Sequence, residues 1–451
     1  MSQNPLTELT HQLVKHFAIY PAGIDTSCVM RYGELIRYHN ENLLEGGDMS
    51  IAASNINWEC FCQKHGLQLR MNIEQLLNDE KAKEDLLEQS KQWIFPLQGI
   101  TKLRRERYGL HFHRAPIIAN VLNAIFTNGE NYGKHREPAG DGALLPSTIH
   151  LSLNNRFINQ DEHNSKELHK FRAKQLYLIL GRILEYSKWR VVQSDDVTDD
   201  TLRVCVDCNN VPRRPSVGQE DKKTVRVVCG PVLEPTTKTA TSMTSGGYMA
   251  LRSNDMLLIA MHRHGVRDCV KGKNFESLMQ RLGHAAVIVD LFEVRHSTGA
   301  TVVRSGLGSS KGANYILYNS ARLETLLRTF QAQVNLGVYE PLPPLDKIDL
   351  SVLEDELDWQ LIYGYLLTFP KVVESTLAQL EQGLCAVHSL VRYIVDLASL
   401  FSRYYRHKQI LVQQRTNLMP VLYARIYLVK AVRQVLNSAL ALLGIEPVDY
   451  M

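Results

Sequence analysis

The chain has 451 residues, 45% of them hydrophobic and 22% charged, and a net charge of +4 at pH 7. This composition is typical of a folded globular protein with room for two or three cores, and it excludes wholesale disorder. No window reaches the roughly 18 uninterrupted apolar residues that a membrane span requires, and no apolar run follows a basic start at the N-terminus. We therefore expect a cytoplasmic protein that does not associate with membranes.

Eight cysteines are spread along the chain, and two pairs are close in sequence: Cys60 with Cys62, and Cys205 with Cys208. A structural zinc site takes four thiolate or imidazole ligands, usually from two paired clusters. The sequence has no second CxxC and no paired histidine cluster at a suitable spacing. We therefore expect free thiols, which fit a reducing compartment, and neither a bound metal nor another cofactor.

Residues 1–140 combine helical segments with a strand-to-helix junction in YGLHFHRAPIIANVLNAIF. There His111 and His113 alternate with Leu110 and Phe112, as in a half-buried strand, and Pro116 stands where a helix can begin. The polar run NGENYGKHREPAGDGALLP is rich in turn-forming residues and marks the boundary. We predict an α/β domain that ends near residue 140.

The middle region, residues 141–307, opens with the alternating segment STIHLSLNNRF, which predicts a strand. A helix from about 165 to 188 and the strand WRVVQ follow, and this strand–helix–strand order indicates a parallel sheet. Two loops rich in turn formers, NNVPRRPSVGQEDKK and EPTTKTATSMTSGG, flank a further strand in VRVVCGPV. We predict a Rossmann-like α/β domain with inserted loops.

From about residue 308 to 451 the apolar residues recur at helical spacing. Leu323, Leu326, Leu327 and Phe330 form one such pattern. A second helix carries a longer pattern, composed of Val387, Leu390, Val391, Ile394, Leu397, Ala398 and Phe401. We predict that this region is a helical bundle.

The last helix, in LMPVLYARIYLVKAVRQVLNSALALLGIEP, is apolar on most of its circumference and is expected in the core of the bundle, with Gly444 as its C-cap. Arg433 falls near the middle of the apolar face, where an unpaired guanidinium is costly. Either Arg433 pairs with an acid such as Asp396, or it reaches a phosphate at the rim of the bundle. Arg425 and Lys430, nearer the edges of the face, are better placed for a phosphate.

The stretch from Arg392 to Arg433 is strongly basic, with eight cationic residues against one acid. The eight are Arg392, Arg403, Arg406, Lys408, Arg415, Arg425, Lys430 and Arg433. Within it, SRYYRHK interleaves cations with aromatic rings, a combination that binds phosphates and stacks unpaired bases. A concentrated positive field of this kind predicts a polyanion such as nucleic acid as the ligand.

Three segments of the bundle resemble, in order, the DALR anticodon-binding domain of arginyl-tRNA synthetases: YILYNSARLETLL, YIVDLASLFSRYY and ARIYLVKAVRQVLNSALALLGIEP. Upstream, YGLHFHRAPIIANVLNAI resembles the end of the N-terminal tRNA-elbow domain of these enzymes. HKFRAKQLYLILGRILEYSKWRVV resembles the helix and strand after their ATP-binding signature. The resemblance implies an α/β N-terminal region, a degenerate Rossmann body like that of class I synthetases, and an all-α DALR anticodon-binding bundle.

The sequence lacks the catalytic signatures of that family. The HxGH signature places two imidazoles at a helix start, where they stabilise the charge that develops on ATP phosphates. The corresponding positions here read Glu167, Leu168, His169 and Lys170, and a carboxylate there repels a triphosphate. The KMSKS-like lysine loop is replaced by GSSKGAN with Lys311 alone, and no Walker-type GxxxxGK[ST] occurs. We therefore predict that the chain has no synthetase activity.

The combination most resembles the DALR anticodon-binding domain-containing proteins of animals, in VRVVCGPV, SSKGANYILYNSARLETLL and GVYEPLPPLDKIDLSVLEDELDWQLIYGYLLTFP. The resemblance implies a non-catalytic tRNA-binding protein that presents arginine tRNAs to a methyltransferase partner for 3-methylcytidine formation in the anticodon loop. Basic side chains are expected to hold phosphates while aromatic and polar ones read bases. The candidate residues are Tyr318, Asn319, Arg322, Arg392, Arg403, Tyr404, Tyr405, Arg406, His407, Arg425 and Lys430.

Two other functions stay open. One is an arginine–tRNA ligase with diverged signatures. The other is a protein-interaction scaffold, in which the acidic segment PPLDKIDLSVLEDELDW binds a basic partner, although such a segment is more often a solvated linker. The basic run KLRRER at 102–107 is either a contact for the body of a tRNA or, more often in proteins, a solvated helix face.

Overall fold

A computed structural model describes residues 5–21, 35–76, 78–104, 106–135, 147–154, 167–208, 224–264, 275–304, 312–412 and 416–449. In the first part of the chain the elements are α1 Pro5–Phe17, β1 Ala18–Ile19, β2 Ile36–Tyr38, α2 Leu43–Gly46, β3 Met49–Ala52, α3 Asn55–His65, β4 Gln68–Leu69, α4 Glu80–Ser90, β5 Leu97–Leu103, β6 Arg107–Phe112, α5 Arg114–Asn128 and the 3₁₀ turn Gly129–Asn131.

The middle part of the chain alternates strands and helices. Its elements are β7 Thr148–Leu153, α6 Leu168–Leu184, β8 Arg190–Val191, the 3₁₀ turn Ser194–Asp196, β9 Leu202–Cys208, β10 Thr224–Cys229, β11 Val232–Leu233, α7 Ser245–His264, α8 Phe275–Phe292 and β12 Ala300–Thr301.

The last part is helical throughout. It consists of α9 Ala313–Asn335, the 3₁₀ turns Leu345–Lys347 and Leu350–Val352, α10 Glu356–Trp359, the π-helix Gln360–Leu366, α11 Phe369–Leu377, the 3₁₀ turn Leu380–Gln382, α12 Val387–His407, the 3₁₀ turn Thr416–Leu418 and α13 Met419–Leu443. An α/β chain that ends in a helical region confirms the predicted fold class.

The chain folds into two compact units that each draw on distant parts of the sequence. The first comprises Met1–Asn128, Leu342–Thr368 and Ile410–Ala431, and the second comprises Gly129–Pro341, Phe369–Gln409 and Val432–Met451. The boundaries expected near residues 140 and 308 do not coincide with these limits, and the three-region division stays a prediction.

The first unit is built on an antiparallel sheet of order β2-β3-β6-β5, beside a small β1-β4 pair. The junction expected in YGLHFHRAPIIANVLNAIF is confirmed, since β6 ends at Phe112 and α5 begins at Arg114. The described residues of the basic run KLRRER, which are all but Arg105, lie at the β5–β6 hairpin and not on a helix. Arg107 donates from Nε to Ser50 Oγ (2.9 Å), and burial lowers the pKa of Arg107 to about 10.

The segment Leu342–Thr368 is anchored inside the first unit by a buried carboxylate. Asp48 Oδ1 accepts a hydrogen bond from Trp359 Nε1 (2.6 Å), and Asp48 Oδ2 accepts one from the Phe112 amide (2.8 Å). The carbonyl of Asp48 accepts from the Tyr363 hydroxyl (2.8 Å). Because Asp48 is 1% exposed, desolvation raises the pKa of its carboxyl group.

Much of the acidic segment 343–359 therefore has structural roles. Glu356 accepts a hydrogen bond from the Leu43 amide (3.0 Å) and forms an ion pair with Arg114 (3.4 Å), while Asp358 is 1% exposed. The end of the segment is therefore not a solvated linker, whereas Asp346, Asp349 and Glu354 are exposed, as that interpretation expects.

The second unit contains a parallel sheet of order β10-β9-β7-β8, which confirms the parallel α/β arrangement expected for the middle region. The sequence analysis missed β9, because its segment LRVCVDC drew attention only to Cys205 and Cys208. Both cysteines are free, as are the other four that the structure describes.

A buried arginine binds backbone carbonyl groups from several segments of this unit. Arg172, on α6, is fully buried, and burial lowers the pKa of its guanidinium. Its donors reach only backbone carbonyls, namely those of Leu291 (3.0 Å), Gly230 (3.0 Å), Pro231 (3.4 Å), Thr298 (2.7 Å) and Arg295 (3.2 Å). Buried donors and acceptors that satisfy one another in this way rigidify the backbone around them.

The last helix is confirmed as a core element, ending at Gly444 with a positive φ of 73°. The expectation that Arg433 pairs with an acid is confirmed, but its partner is Glu324 on α9 (Nη1 to Oε2, 2.8 Å) and not the Asp396 given as the example. In the described part of the chain, α13 is the one helix that by length and composition could cross a membrane, and 72% of its most apolar stretch is buried inside the structure. Packing in a core accounts for that burial.

Candidate nucleic-acid interface

The site is built on α9 and α12, which pack against each other in the second unit. Arg322 of α9 lies over two tyrosine rings: its guanidinium carbon is 4.5 Å from the centroid of Tyr318 and 4.6 Å from that of Tyr405 on α12. Its Nη2 also donates to the Tyr318 hydroxyl (2.9 Å). We call these three residues the Tyr–Arg–Tyr cluster.

Two polar side chains hold Arg322 in this position. Its Nη1 lies 3.3 Å from both Asn319 Oδ1 and Ser402 Oγ, which accept from it. Asn319 is itself fixed by donating from Nδ2 to the Tyr315 carbonyl (2.9 Å). Since planar guanidinium groups stack on aromatic faces, the cluster is organised before any ligand arrives.

Tyr405 offers the accessible face of the cluster, because 42% of its surface is exposed. Asn319 and Tyr404, by contrast, are both fully buried. These two candidates therefore cannot touch a ligand in this conformation, and they support neighbouring side chains instead. Ser402 was missed, and a lone serine in a helix gives no sequence signal.

The last turns of α12 present the remaining cations of SRYYRHK. Arg403, Arg406 and His407 are exposed, and His407 Nδ1 lies 2.8 Å from the Arg403 carbonyl, to which it donates. Basic residues in a last turn also stabilise the helix through its macrodipole. Together with the Tyr–Arg–Tyr cluster they give the combination of charge and stacking surface that the sequence predicted.

Arg392 is exposed nearer the start of α12. The other two candidates, Arg425 and Lys430, belong to the part of α13 that lies in the first unit. There Lys430 Nζ lies 5.8 Å from the ring centroid of Phe126 and 5.4 Å from that of Tyr427. These cation–π contacts occupy Lys430 within its own unit. Arg415 and Lys311 lie outside the described residues.

At the start of α6 neither of the two histidine positions of the synthetase signature carries an imidazole, because Glu167 and Lys170 stand there. Instead, the carboxylate of Glu167 lies 3.1 Å from both His169 Nε2 and Lys170 Nζ. Burial lowers the pKa of His169, an effect that Glu167 only partly opposes. The ammonium group of Lys170 and the imidazole of His169 are thus both already engaged by the Glu167 carboxylate.

Comparison with known proteins supports the sequence resemblance. Residues 316–451 match the family model described as the DALR anticodon binding domain. The fold is similar to that of the arginyl-tRNA synthetases of Thermus thermophilus (TM-score 0.57, 10% identity, 92% of this chain and 96% of the other) and Plasmodium falciparum (TM-score 0.60, 11% identity, 100% of both chains). The chain therefore carries a DALR anticodon-binding domain on a fold of the arginyl-tRNA synthetase type.

Among curated relatives, the chain is similar to DALR anticodon-binding domain-containing protein 3 of Danio rerio, with 29% identity over 236 residues, and of Rattus norvegicus, with 27% over 231 residues. Each match covers 50% of this chain, but only 41% and 43% of the relative's own length. A shorter match, 32% identity over 30% of this chain and 22% of the relative, is to an arginine–tRNA ligase of Desulforamulus reducens.

Proposed function

We propose that the protein is a non-catalytic, cytoplasmic tRNA-binding adaptor. In this proposal it recognises arginine tRNAs through their anticodon region and presents them to a methyltransferase partner that forms 3-methylcytidine. The anticodon-binding domain supports contact with tRNA, and the similarity to animal DALR domain-containing proteins supports a role outside aminoacylation.

One observation carries the proposal: the Tyr–Arg–Tyr cluster lies inside the matched domain and leaves the Tyr405 face exposed. Single-stranded RNA bases that leave their stack bind on aromatic side chains and on guanidinium planes. The exposed Arg403 and Arg406 lie on the same helix as Tyr405, where they can hold the phosphates that position such bases.

An arginine–tRNA ligase is the second candidate, and the similarity of fold to solved synthetases favours it. The start of α6 opposes it, because Glu167 places a carboxylate where a triphosphate would need positive charge. The third candidate, a scaffold without RNA contact, has less support, because Glu356 and Asp358 of the acidic segment are engaged inside the first unit.

The first experiment is capture of total cellular RNA on the purified full chain over a salt series, followed by sequencing of the retained RNA. We expect enrichment of arginine tRNAs that persists as salt rises. Retention of bulk RNA that is lost uniformly with salt, or of none, would reject autonomous tRNA recognition.

A variant of the chain tests the site itself. Arg403→Ala combined with Arg406→Ala should weaken tRNA binding and lower the slope of log affinity against log salt, because each lost phosphate contact removes about 0.7 to 0.9 from that slope. Arg190→Ala is the matched control, since Arg190 is an exposed arginine of the second unit on β8. Unchanged affinity and slope in the double variant would reject this site.

A further inference from the structure

A second group of basic residues lies at the opposite end of α12 from SRYYRHK. It consists of His388 and Arg392 on the first turns of the helix and Arg295 in the segment that follows α8. His388 and Arg392 are four residues apart and therefore neighbours on one helix face. We call Arg295, His388 and Arg392 the basic cluster.

A buried histidine brings Arg295 to this end of the helix. His296, 2% exposed, donates from Nδ1 to the Val228 carbonyl at the end of β10 (3.1 Å) and accepts at Nε2 from the Cys385 amide (3.2 Å). The residue beside it in sequence is Arg295, whose carbonyl is held by Arg172. The exposed guanidinium of Arg295 is thus attached to a rigid part of the second unit.

The one acid of α12, Asp396, lies one turn after Arg392 on the same face of the helix, whereas the first turns of the helix and Arg295 bring only basic groups together. Desolvation lowers the pKa of His388, and Arg295 and Arg392 lower it further, while no carboxylate raises it. The first turn of α12 contains no acidic residue. The Nδ1 atom of His388 is shielded from solvent and has no hydrogen-bond partner in the described structure. The helix N-terminus adds its own partial positive charge.

The basic cluster and the cations of SRYYRHK share one face of α12. Arg403 follows Arg392 by 11 residues, or about three turns, so the two lie within roughly 20° of each other around the axis and about 16 Å apart along it. His388 and Arg406 extend the same face at either end. The opposite face is apolar and buried, as Ile394, Leu397 and Phe401 show.

We propose that an RNA backbone runs along this face of α12, with Arg295 and Arg392 holding phosphate at one end and Arg403 and Arg406 holding it at the other. The inference rests on the proposed tRNA-binding function and deepens it by adding a second phosphate-binding position. Phosphodiester oxygens fit the cluster because they accept several hydrogen bonds from guanidinium groups and are attracted by the two arginine charges.

The test uses the full chain, a fluorescently labelled transcript of an arginine tRNA, and anisotropy titrations over a salt series. The variant is Arg295→Gln with Arg392→Gln, and the control is Arg190→Gln. We expect the variant to bind about tenfold more weakly at low salt and to lose about 1.4 to 1.8 from its salt slope, as two lost phosphate contacts predict. The control should match the wild type. The melting temperature should be unchanged, because all three arginines are exposed.

The outcomes separate the inference from the function on which it rests. If the double variant binds the transcript with the affinity and salt slope of the wild type, the second phosphate position is overturned and the adaptor function stands. The basic cluster would then serve another ligand, such as an acidic protein segment. A loss in Arg190→Gln of half that in the double variant would overturn it as well, because the control removes one charge against two and net charge alone would then explain the effect. Absence of wild-type binding to the transcript would overturn both proposals.

Discussion

Arg322 and Tyr405, 83 positions apart in sequence, stack with the guanidinium carbon 4.6 Å from the ring centroid. This contact joins α9 to α12 and holds an exposed aromatic ring beside a fixed cation. A surface of this kind accepts a nucleic-acid base without first having to order its own side chains, which lowers the entropic cost of binding.

We predict that Tyr405→Leu weakens binding of single-stranded anticodon-loop RNA by about tenfold, because the stacking of one base on an aromatic ring contributes about 1–3 kcal/mol. Tyr405→Phe should stay within about twofold of the wild type, since it keeps the ring. Neither variant should change the salt slope, because neither removes a cation. Anisotropy titrations at several salt concentrations measure both quantities. Equal losses in the two variants would contradict stacking and assign the effect to the hydroxyl group.

Arg172 provides a prediction about stability. Arg172→Lys keeps the charge but offers three donors where the guanidinium serves five carbonyl groups in different directions. We expect it to lower the free energy of unfolding by at least about 2 kcal/mol, since unsatisfied buried acceptors cost about 1–3 kcal/mol each. Arg172→Met should cost as much or more. Urea denaturation measures the loss, and hydrogen exchange should show it in peptides of the second unit. A loss below about 0.5 kcal/mol in both variants would contradict the role of Arg172.

The regular features of the fold could be predicted from sequence because they are local. All seven apolar residues predicted to line α12 are buried, and β7, α6 and β8 occur in the predicted order. Periodicity records which side of an element faces a core, and that information lies within one element.

The same periodicity could have identified two site residues as buried. Tyr404 follows Leu397 by seven residues and Phe401 by three, and Asn319 follows Ile316 by three and precedes Leu323 by four. Both therefore fall on the apolar faces of their helices. Their polar groups drew them into the list of RNA contacts, although their positions indicated the core.

Contacts between distant segments could not be predicted in this way. Arg433 pairs with Glu324, and Asp48 binds Trp359, more than 300 residues away. One sequence carries no record of which long-range partner satisfies a buried polar group, only that some partner is required. Arg295 and His388 were missed for the same reason, because the contacts that bring Arg295 towards α12 are those of His296 with segments distant in sequence.

His296 makes stability depend on pH in a defined direction. Burial lowers its pKa below the unfolded value near 6.5, and its Nε2 accepts from an amide and therefore cannot take a proton without losing that bond. The stability that neutral His296 contributes to the folded state is thus fully present above pH 6.5, and it is lost as the pH falls through the folded-state pKa. We expect the wild type to lose stability relative to His296→Gln by up to about 1.4 kcal/mol per pH unit below pH 6.5. Urea denaturation at pH 8.0, 6.5 and 5.5 tests this, and a difference that stays constant with pH would contradict it.

The last prediction concerns catalysis. At the start of α6 the Glu167 carboxylate binds His169 and Lys170, so ATP phosphates meet a negative charge and no pair of imidazoles. We expect no pyrophosphate exchange above background with ATP, arginine and tRNA. Glu167→Gln should not restore it, because removing the repulsion does not supply the missing electrophilic groups. A synthetase carried over from the expression host is the main source of false signal, so any exchange must also be measured in Lys170→Ala. Exchange that rises with the amount of this chain and falls in Lys170→Ala would establish a working nucleotide site and reject the non-catalytic adaptor in favour of a diverged ligase.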